Sequence, residues 1–393
     1  MLLLTRGAMA QPTSIVNSAH NLSASGPGAV RAAAEQQVCI FCHTPHNATP
    51  VQPLWNRTLP TSAYTVYSSN SLNASPGQPT GSSKLCLSCH DGTIALGSVA
   101  SRNQPITMAG GITTLPPGAG NLGTDLADDH PISFKYDAAL ATKNPKLKLP
   151  SQLPEQIKLD SQSELQCTSC HEPHNNQFGK FLVMDNTNSQ LCSNCHTMGQ
   201  TTLTGHLQCA SCHQEHSAPS GPYLLKAATV TDTCTTCHGG QPGPMQGINV
   251  AAELNKASRH DTRSPVNQKD HIPNNVVCND CHEPHTMTAE AASAPMISGK
   301  LGQINGITAD GAAIAKAQFE YEVCFKCHAE QTAQISQTIG RQIVQTNTRL
   351  EFAKNAISYH PVEAPGKNTT SVPSLVPGLT TGSVIACSDC HNS

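Results

Sequence analysis

The sequence has little of the material from which protein interiors are usually built. Aromatic residues make up 4% of the 393 positions, with Trp55 the single tryptophan, and hydrophobic residues together make up 37%. Charged residues are also scarce, at 12%, so the chain lacks the high net charge that is typical of disordered proteins. These shortages argue against conventional globular interiors and predict that something other than side chains fills the core.

Long apolar runs and unpaired cysteines are missing as well. No stretch after the first residues is long and apolar enough to span a membrane, and no cysteine is left over for lipidation. The formal net charge of −3 offers no excess of basic side chains for a phosphate backbone. We therefore expect neither a membrane span nor a nucleic-acid partner.

Cysteine and histidine, by contrast, are abundant, with 18 and 19 residues. The cysteines form nine C-x-x-C pairs, and each second cysteine is followed at once by histidine. Because histidine occupies about one position in twenty, nine such neighbours would arise by chance about once in 10^12. The nine pairs are Cys39 and Cys42, Cys86 and Cys89, Cys167 and Cys170, Cys192 and Cys195, Cys209 and Cys212, Cys234 and Cys237, Cys278 and Cys281, Cys324 and Cys327, and Cys387 and Cys390.

Zinc ribbons, disulfide scaffolds and covalent c-type haem attachment all use paired cysteines, and the adjacent histidine decides among them. A zinc ribbon needs no such histidine, and a disulfide framework would not repeat one spacing nine times. In haem attachment, two thioethers hold the porphyrin edge while the next imidazole binds the iron. We therefore predict nine covalent haem c groups, whose apolar rings supply the missing core. The proximal ligands would be His43, His90, His171, His196, His213, His238, His282, His328 and His391.

Ten histidines remain for the sixth coordination positions, one more than nine irons require. Four of them stand three residues after a proximal histidine, in C-H-x-x-H segments. Side chains at i and i+3 lie about 5–6 Å apart on one face of a helical turn, so they cannot bind one iron from opposite sides. Each second histidine must therefore serve a neighbouring haem. These four distal candidates are His46, His174, His216 and His285.

The other six candidates are isolated, and at least one follows each pair of motifs. Four are interpreted as distal ligands, namely His130, His206, His260 and His360. His20 and His271 then compete for the ninth iron. For any one of these histidines, a solvated or hydrogen-bonded side chain is the alternative interpretation. Methionines recur at no fixed offset from the motifs and are interpreted as packing residues, namely Met108, Met184, Met198, Met245, Met287 and Met296.

The C-H-x-x-H motifs alternate with plain ones, which gives four doublets and an unpaired ninth motif. The two central doublets share a spacing of 25 residues, and GKFLV (179–183) aligns with GPYLL (221–225), so the chain contains an internal repeat. We predict a dihaem module over 11–135, a tetrahaem module over 136–250 and a trihaem module over 251–393. Residues 1–10 are expected to be the remnant of an export signal, with a mature start near Gln11.

Glycine and proline together number 56, and polar stretches such as 68–83 and 108–120 are predicted to be loops over the haems. Helical periodicity is limited to short pieces, chiefly 312–327 and 340–356. The predicted fold is mostly irregular chain with a few short α-helices and little or no β-sheet, wrapped around nine haems.

Four stretches carry a resemblance to a known family: VCIFCHTPHNA (38–48), LCLSCHDGTIALGS (85–98) with the later DDHPISF (128–134), LQCTSCHEPH (165–174) and VCNDCHEPH (277–285). They resemble the doubled-CXXCH multihaem cytochromes c, exported bacterial electron carriers. More loosely, the chain is similar to a hexahaem cytochrome that polymerises into extracellular filaments. The resemblance implies a continuous haem chain and little secondary structure. The chain departs from the pattern in its haem number and in the motif-free stretch from about Asp91 to Gln166.

The favoured function is an electron conduit of six-coordinate, low-potential haems, acting outside the cytoplasm and not as an enzyme. Its expected partners are redox proteins or extracellular acceptors such as minerals. The alternative is a multihaem reductase of nitrite, hydroxylamine or sulfur oxyanions, which would need an open iron position. Within the conduit interpretation, a soluble periplasmic carrier competes with an extracellular head-to-tail polymer, in which His20 would ligate a haem of the next molecule. Up to 18 propionates would bring the charge of the reduced holoprotein to about −21.

Overall fold

The computed structural model describes residues 14–46, 48–49, 54–118, 120–198, 201–240, 248–257, 259–262, 276–329, 345, 347–370 and 375–391. The chain divides into two compact units. Unit 1 comprises Met1–Met198 and Cys212–Lys226, and unit 2 comprises Gly199–Ser211 and Ala227–Ser393. The three modules proposed for the haems follow the order of the motifs along the chain and stay a prediction. His271 and Met245 lie outside the described residues.

Unit 1 contains four short α-helices and two small sheets among its described residues. The strands pair two by two, β1 with β2 in parallel and β3 with β4 in antiparallel register. The helices are α1 (Gly81–His90), α2 (Ala138–Lys143), α3 (Cys167–Cys170) and α4 (Gln190–Cys195), and the strands are β1 (Thr65–Val66), β2 (Asp125–Leu126), β3 (Phe134–Lys135) and β4 (Glu164–Leu165). The 3-10 turns are Ile15–Asn17, Cys39–Phe41, Ala109–Gly111, Pro150–Gln152, Thr187–Ser189 and Pro222–Leu224.

Unit 2 has a similar character in the part that the structure describes, with four short helices and one antiparallel hairpin. The helices are α5 (Val230–His238), α6 (Cys278–Cys281), α7 (Glu320–His328) and α8 (Thr348–Phe352), and the strands are β5 (Gly306–Ile307) and β6 (Ala313–Ile314). The 3-10 turns are Thr204–His206, Cys209–Ser211, Glu253–Asn255, Gly299–Leu301 and Cys387–Asp389.

The predicted fold class is confirmed, because the chain is mostly irregular with few short helices and small sheets. Within the described ranges, no helix has the length and apolar character that a membrane crossing requires. Of the stretches predicted as loops, 68–83 is irregular up to Thr80, and its last three residues belong to α1. The described residues of 108–120 contain the 3-10 turn Ala109–Gly111.

Both predicted helices are shorter than their periodicity suggested. Helix α7 begins at Glu320 instead of 312 because the preceding residues turn back at Gly311 (φ +90°) into the β5–β6 hairpin. Glu322 fixes this start, since its carboxylate accepts hydrogen bonds from the backbone N–H groups of Gln318 and Phe319. In the second stretch the helix covers only Thr348–Phe352, and residues 340–344 and 346 lie outside the described residues.

The apolar interior is divided into small clusters, and most of them lie against a motif cysteine. In unit 1, one cluster around Phe41, Leu96 and Met108 packs against Cys42 and Cys89. A second, around Phe134 and Tyr136, packs against Cys195. In unit 2, the cluster of Tyr321 and Phe325 contacts Cys387, and that of Ile304 and Val323 contacts Cys281. Each cluster is too small to form a conventional core by itself.

Candidate functional site

Each of the nine C-x-x-C-H motifs begins on a helical turn. Because residues i and i+3 share one face of such a turn, both cysteines of a motif point to the same side. Six motifs lie on α-helices and three on 3-10 turns, Cys39–Phe41, Cys209–Ser211 and Cys387–Asp389. The local fold therefore presents two thiols and the following imidazole together, as covalent haem attachment requires.

The thiol geometry favours haem over the other two uses of paired cysteines. No disulfide joins any of the 18 cysteines, all of which lie in the described residues. A structural zinc site needs four ligand atoms around one ion. Among the described residues, a group of three candidate ligand atoms within 4.8 Å of one another occurs only at Glu320, Cys324 and Cys387. That group is one ligand short of a closed zinc site.

Six predicted proximal histidines each lie beside one predicted distal histidine of the same unit, with ring centres 5.9–6.3 Å apart. In unit 1 the pairs are His43 with His174 at 5.9 Å, His90 with His20 at 6.0 Å, His171 with His216 at 6.2 Å and His196 with His130 at 6.3 Å. In unit 2 they are His238 with His206 and His328 with His260, both at 6.1 Å.

This spacing fits two imidazoles on opposite sides of one iron. A metal–nitrogen bond is about 2.0–2.1 Å long, and ordinary C–N bond lengths give an imidazole ring a radius of about 1.1 Å. Two rings bound trans to one iron therefore have centres about 6.3 Å apart. Direct stacking of the two rings would bring the centres closer, as the 4.1 Å between His20 and Phe181 illustrates. The gap in the histidine pairs would therefore accommodate a metal ion with one bond to each ring.

The proximal imidazoles are oriented by backbone carbonyl groups. Because a carbonyl oxygen only accepts hydrogen bonds, Nδ1 of each such histidine must carry the hydrogen, which leaves the lone pair on Nε2 for a metal. Five proximal histidines have this contact. They are His90 with Gly120 O at 2.5 Å, His171 with Lys180 O at 2.9 Å, His213 with Tyr223 O at 2.7 Å, His238 with Ile248 O at 2.8 Å and His282 with Lys300 O at 2.9 Å.

The internal repeat accounts for two of these carbonyl contacts. Lys180 and Tyr223 both adopt a positive φ, +50° and +67°, which turns the chain back towards the motif histidine. Equivalent isolated β-bridges follow in the two copies, joining His171 to Leu182 and His213 to Leu225. Lys180 therefore corresponds to Tyr223, one residue later than the predicted alignment of GKFLV with GPYLL, because the second copy has one extra residue before the turn.

Three of the four C-H-x-x-H histidines bind a carboxylate through Nδ1. In the two C-H-E-P-H segments the acceptor lies two residues upstream, with His174 3.0 Å from Glu172 and His285 2.7 Å from Glu283. His216 instead contacts Asp129, at 2.9 Å. The Asp129 side chain is 5% exposed, against 48% for Glu172. A carboxylate behind a metal-binding imidazole fixes its tautomer and raises its basicity.

Burial favours the neutral form of six of the twelve paired imidazoles, and the neutral imidazole is the form that binds iron. Burial lowers the pKa of His196 to about 4. It also lowers the pKa values of His20, His130, His171, His206 and His328. His216 differs, because its hydrogen bond to Asp129 raises its pKa.

Motifs also meet each other through their first cysteines. In unit 1, Cys86 of α1 lies within hydrogen-bonding reach of Cys167 of α3. The buried Gln166 directly precedes α3 and joins it to α1, because its Oε1 accepts a hydrogen bond of 2.6 Å from Ser83 of α1. Its Nε2 donates a second hydrogen bond, of 2.8 Å, to Asp160. In unit 2, equivalent contacts join Cys234 to Cys278 and Cys324 to Cys387. Porphyrin edges attached at such cysteines would lie side by side.

Some predicted distal histidines are not placed beside a proximal ring. Within the described part of the chain, His46 and His360 are exposed and no ring lies against either. His20 was predicted either to complete the ninth iron of its own chain or, in the polymer interpretation, to ligate a haem of the next molecule. It stands beside His90 of its own chain, where Pro173 O contacts its Nδ1 at 3.2 Å, and this position favours the first alternative. His271 lies outside the described residues.

Several supporting residues escaped the sequence prediction. Glu172 and Glu283 stand directly after a proximal histidine, so the C-H-E-P-H string itself was the signal that would have found them. Asp129 adjoins the predicted ligand His130, yet nothing in the sequence links it to His216, 87 residues away. Gln166 lies in the LQCTSCHEPH stretch (165–174), but nothing in the sequence links it to Ser83, 83 residues away.

Comparison with known families agrees with this geometry. Residues 161–201 and 203–243 each match the family described as the doubled CXXCH motif. The predicted resemblance to doubled-CXXCH multihaem cytochromes is confirmed over these two segments. No curated protein matches the chain.

The motifs and the family match indicate covalently bound haem c, attached at C-x-x-C-H segments. More particularly, the two matched segments resemble those of multihaem c-type cytochromes of the doubled-CXXCH kind, and such repeats indicate electron transfer.

Proposed function

We propose that the protein carries nine haem c groups and conducts electrons between them without chemical catalysis. The observation that carries the proposal is the set of six proximal–distal histidine pairs with ring centres 5.9–6.3 Å apart. In each pair the two imidazoles would bind one iron from opposite sides. Haem supplies the one-electron chemistry, and the protein supplies the ligands, the spacing and the surrounding charges.

The C-H-x-x-H segments supply the spacing between neighbouring haems. His174 follows the motif of His171 but lies beside His43, and His216 follows the motif of His213 but lies beside His171. One short segment would therefore hold the irons of two haems at once. This linkage would place the haems of His43, His171 and His213 in a row, with close porphyrin contacts along it.

Electron transfer is favoured over reduction of a substrate because irons held between the six histidine pairs would have no open coordination position. A reductase of nitrite, hydroxylamine or sulfur oxyanions needs such a position together with nearby acid or base groups. Two histidine ligands also favour the ferric state relative to methionine ligation, so the reduction potentials should be low. We infer that the protein is not an enzyme.

The direct test is a count of haems and of their spin states. Haem extraction and intact mass should give nine haems per chain, and the electron paramagnetic resonance spectrum of the ferric protein should be low-spin. Fewer than nine haems would overturn the stoichiometry. A dominant high-spin signal, or turnover of nitrite or hydroxylamine with a reduced dye, would favour the reductase instead.

We further propose export, because this attachment chemistry takes place outside the cytoplasm, and assembly of the chain into an extracellular polymer. A soluble periplasmic carrier is the competing form. The specific observation that favours a polymer is His46, which belongs to a C-H-x-x-H segment, is exposed and has no described ring against it. His46 of one molecule would ligate a haem of the next, such as that of His282, beside which no described histidine ring lies.

Electron microscopy of wild-type protein and of the His46→Ala variant tests the polymer. Filaments in the wild type and their loss in the variant would support an intermolecular ligand. Unchanged filaments in the variant, or none in the wild type, would contradict it. His271→Ala serves as a control. If monomeric His271→Ala protein contains a high-spin haem, that haem takes its second ligand from His271 of its own chain and not from His46 of another molecule.

A further inference from the structure

A single arginine is completely buried in unit 1, between the first two haem-attachment motifs. The Arg57 side chain is 0% exposed. It makes five hydrogen bonds, all to neutral oxygen atoms. Nε donates to Ser88 Oγ at 3.3 Å, Nη1 donates to the carbonyl oxygens of Leu96 at 2.8 Å and Ser98 at 3.5 Å, and Nη2 donates to those of Ser88 at 2.9 Å and Ala95 at 3.1 Å.

The positive charge of Arg57 is therefore not paired with a carboxylate. Among the described residues, no carboxylate oxygen lies within 4.0 Å of its guanidinium nitrogens. Burying a charge in this way is costly. Part of the cost is offset at Ser88, whose carbonyl lies near the carboxyl end of α1, where the helix dipole is negative.

The guanidinium lies against both motifs. Arg57 bonds to Ser88, the residue directly before Cys89, through both the hydroxyl and the carbonyl oxygen. The residue before Arg57, Asn56, donates a backbone hydrogen bond of 2.9 Å to the carbonyl oxygen of Cys42. Two residues after Cys89, the buried side chain of Asp91 provides a charge of the opposite sign near the second motif.

We propose that Arg57 raises the reduction potentials of the haems attached at Cys39–Cys42 and Cys86–Cys89. The inference rests on the proposed attachment of haem at these motifs. A ferric haem carries one more positive charge than a ferrous haem, and reduction adds one electron without breaking a bond. A fixed cation in a region of low dielectric constant therefore favours the ferrous state. Asp91 offsets part of this effect at the second haem.

The decisive variant is Arg57→Gln, which removes the charge and keeps a hydrogen-bonding side chain. Haem content and spin state are measured first on wild-type protein. If wild-type protein carries no haem at these motifs, the proposed haem attachment is refuted, and the role of Arg57 is not what has failed. A reductive titration of the variant should then show one or two of the nine midpoints lowered. The expected shift is at least tenfold in the ferric-to-ferrous equilibrium, which for one electron is about 59 mV.

Two matched variants separate charge from packing. Arg57→Lys keeps the charge and should leave the midpoints near their wild-type values. Arg102→Gln removes a partly exposed arginine that is already paired with Glu35 and should also leave them unchanged. Nine midpoints in Arg57→Gln that overlay the wild type would overturn the proposal, as would equal shifts in Arg57→Lys and Arg57→Gln.

Wild-type protein provides the test if Arg57→Gln does not load its haems. The resonances of the haem at Cys39–Cys42 are identified by nuclear magnetic resonance as those that change in the His174→Ala variant, because His174 lies beside His43. This haem should be reduced before the haem of His171, whose partner His216 is bound to the buried Asp129. The reverse order of reduction would overturn the proposal.

Discussion

The two units differ in how far their described histidines provide both ligands of each predicted iron. Unit 1 contains five predicted proximal histidines and four described proximal–distal pairs, around His43, His90, His171 and His196. Unit 2 contains two, around His238 and His328, and in its described part no histidine ring lies beside His282 or His391. The comparison suggests that unit 1 satisfies most of its irons internally, whereas unit 2 draws ligands from residues outside the described set or from another molecule.

The units also differ in how their motifs are held. In unit 1 the buried polar side chains include Arg57, Gln166 and Asp129, and each joins segments that are distant in the sequence. In unit 2, the buried polar side chains among the described residues are Thr201, Thr231 and Glu322. Unit 1 therefore depends on specific hydrogen-bond networks between its motifs, which should make it more sensitive to the loss of one haem.

The largest predicted effect comes from deleting a haem in each unit. Replacing Cys86 and Cys89 by Ser removes the haem whose helix packs against α3 and Gln166. We expect unit 1 to lose about 5 kcal/mol or more of stability, since the deletion exceeds the removal of a large aromatic side chain. Replacing Cys387 and Cys390 by Ser should remove one haem and leave eight. Haem content and thermal denaturation of the two variants would check this, and equal behaviour would remove the contrast between the units.

The second prediction concerns single distal ligands. His174→Ala should leave its haem attached but convert one of the nine irons to high spin, and added imidazole should restore the low-spin signal, because the ring opposite His43 is lost. In unit 2, His360→Ala and His271→Ala should each have the same effect if these residues complete the irons of His391 and His282. Low-spin spectra in both unit 2 variants would show that these irons take ligands from elsewhere.

The third prediction compares carboxylates behind distal ligands. Asp129→Asn should raise the midpoint of the haem of His171, because the buried carboxylate makes His216 a stronger ligand for ferric iron. We expect a change of about tenfold in the equilibrium, or about 59 mV. Glu283→Gln in unit 2 should give a smaller shift, since Glu283 is 31% exposed and Asp129 only 5%. Potentiometric titration of both variants measures the difference, and a larger shift in Glu283→Gln would reverse the expected order.

Much of this arrangement is local and therefore readable in the sequence. The C-x-x-C-H strings predict the helical turns. The i+3 spacing alone shows that His171 and His174 cannot bind the same iron from opposite sides. The shortage of apolar residues likewise predicts the irregular fold. These inferences succeed because each depends on residues within a few positions of one another.

The remaining features depend on long-range contacts that no string of residues specifies. Which distal histidine faces which proximal one is such a feature, as the separation of 70 positions between His20 and His90 illustrates. The same holds for Asp129 behind His216 and for Arg57 beside two cysteines. A hydrogen bond between distant segments leaves no periodicity in either segment, so only the folded chain reveals it.

The smallest predicted effect compares one surface ion pair from each unit. In unit 1, Arg102 lies 2.5 Å from Glu35, whose side chain is only 10% exposed, whereas in unit 2 Lys256 and Glu253 form a more exposed pair three residues apart. Arg102→Gln should lower the free energy of unfolding by about 0.5–1 kcal/mol, and Lys256→Gln should have no measurable effect.

The pH dependence of this difference identifies its source. The backbone N–H of Gln37, and then Arg102, hold the pKa of Glu35 below its usual value of 4.5. The ionised carboxylate therefore stabilises the folded state above pH 4.5, and the contribution is lost as the pH falls through the lowered pKa of the folded state. The free energies of unfolding of Arg102→Gln and wild-type protein, measured by denaturation, should converge in this acidic range. A difference that persists below it would assign the role of Arg102 to packing of its side chain instead of to its charge.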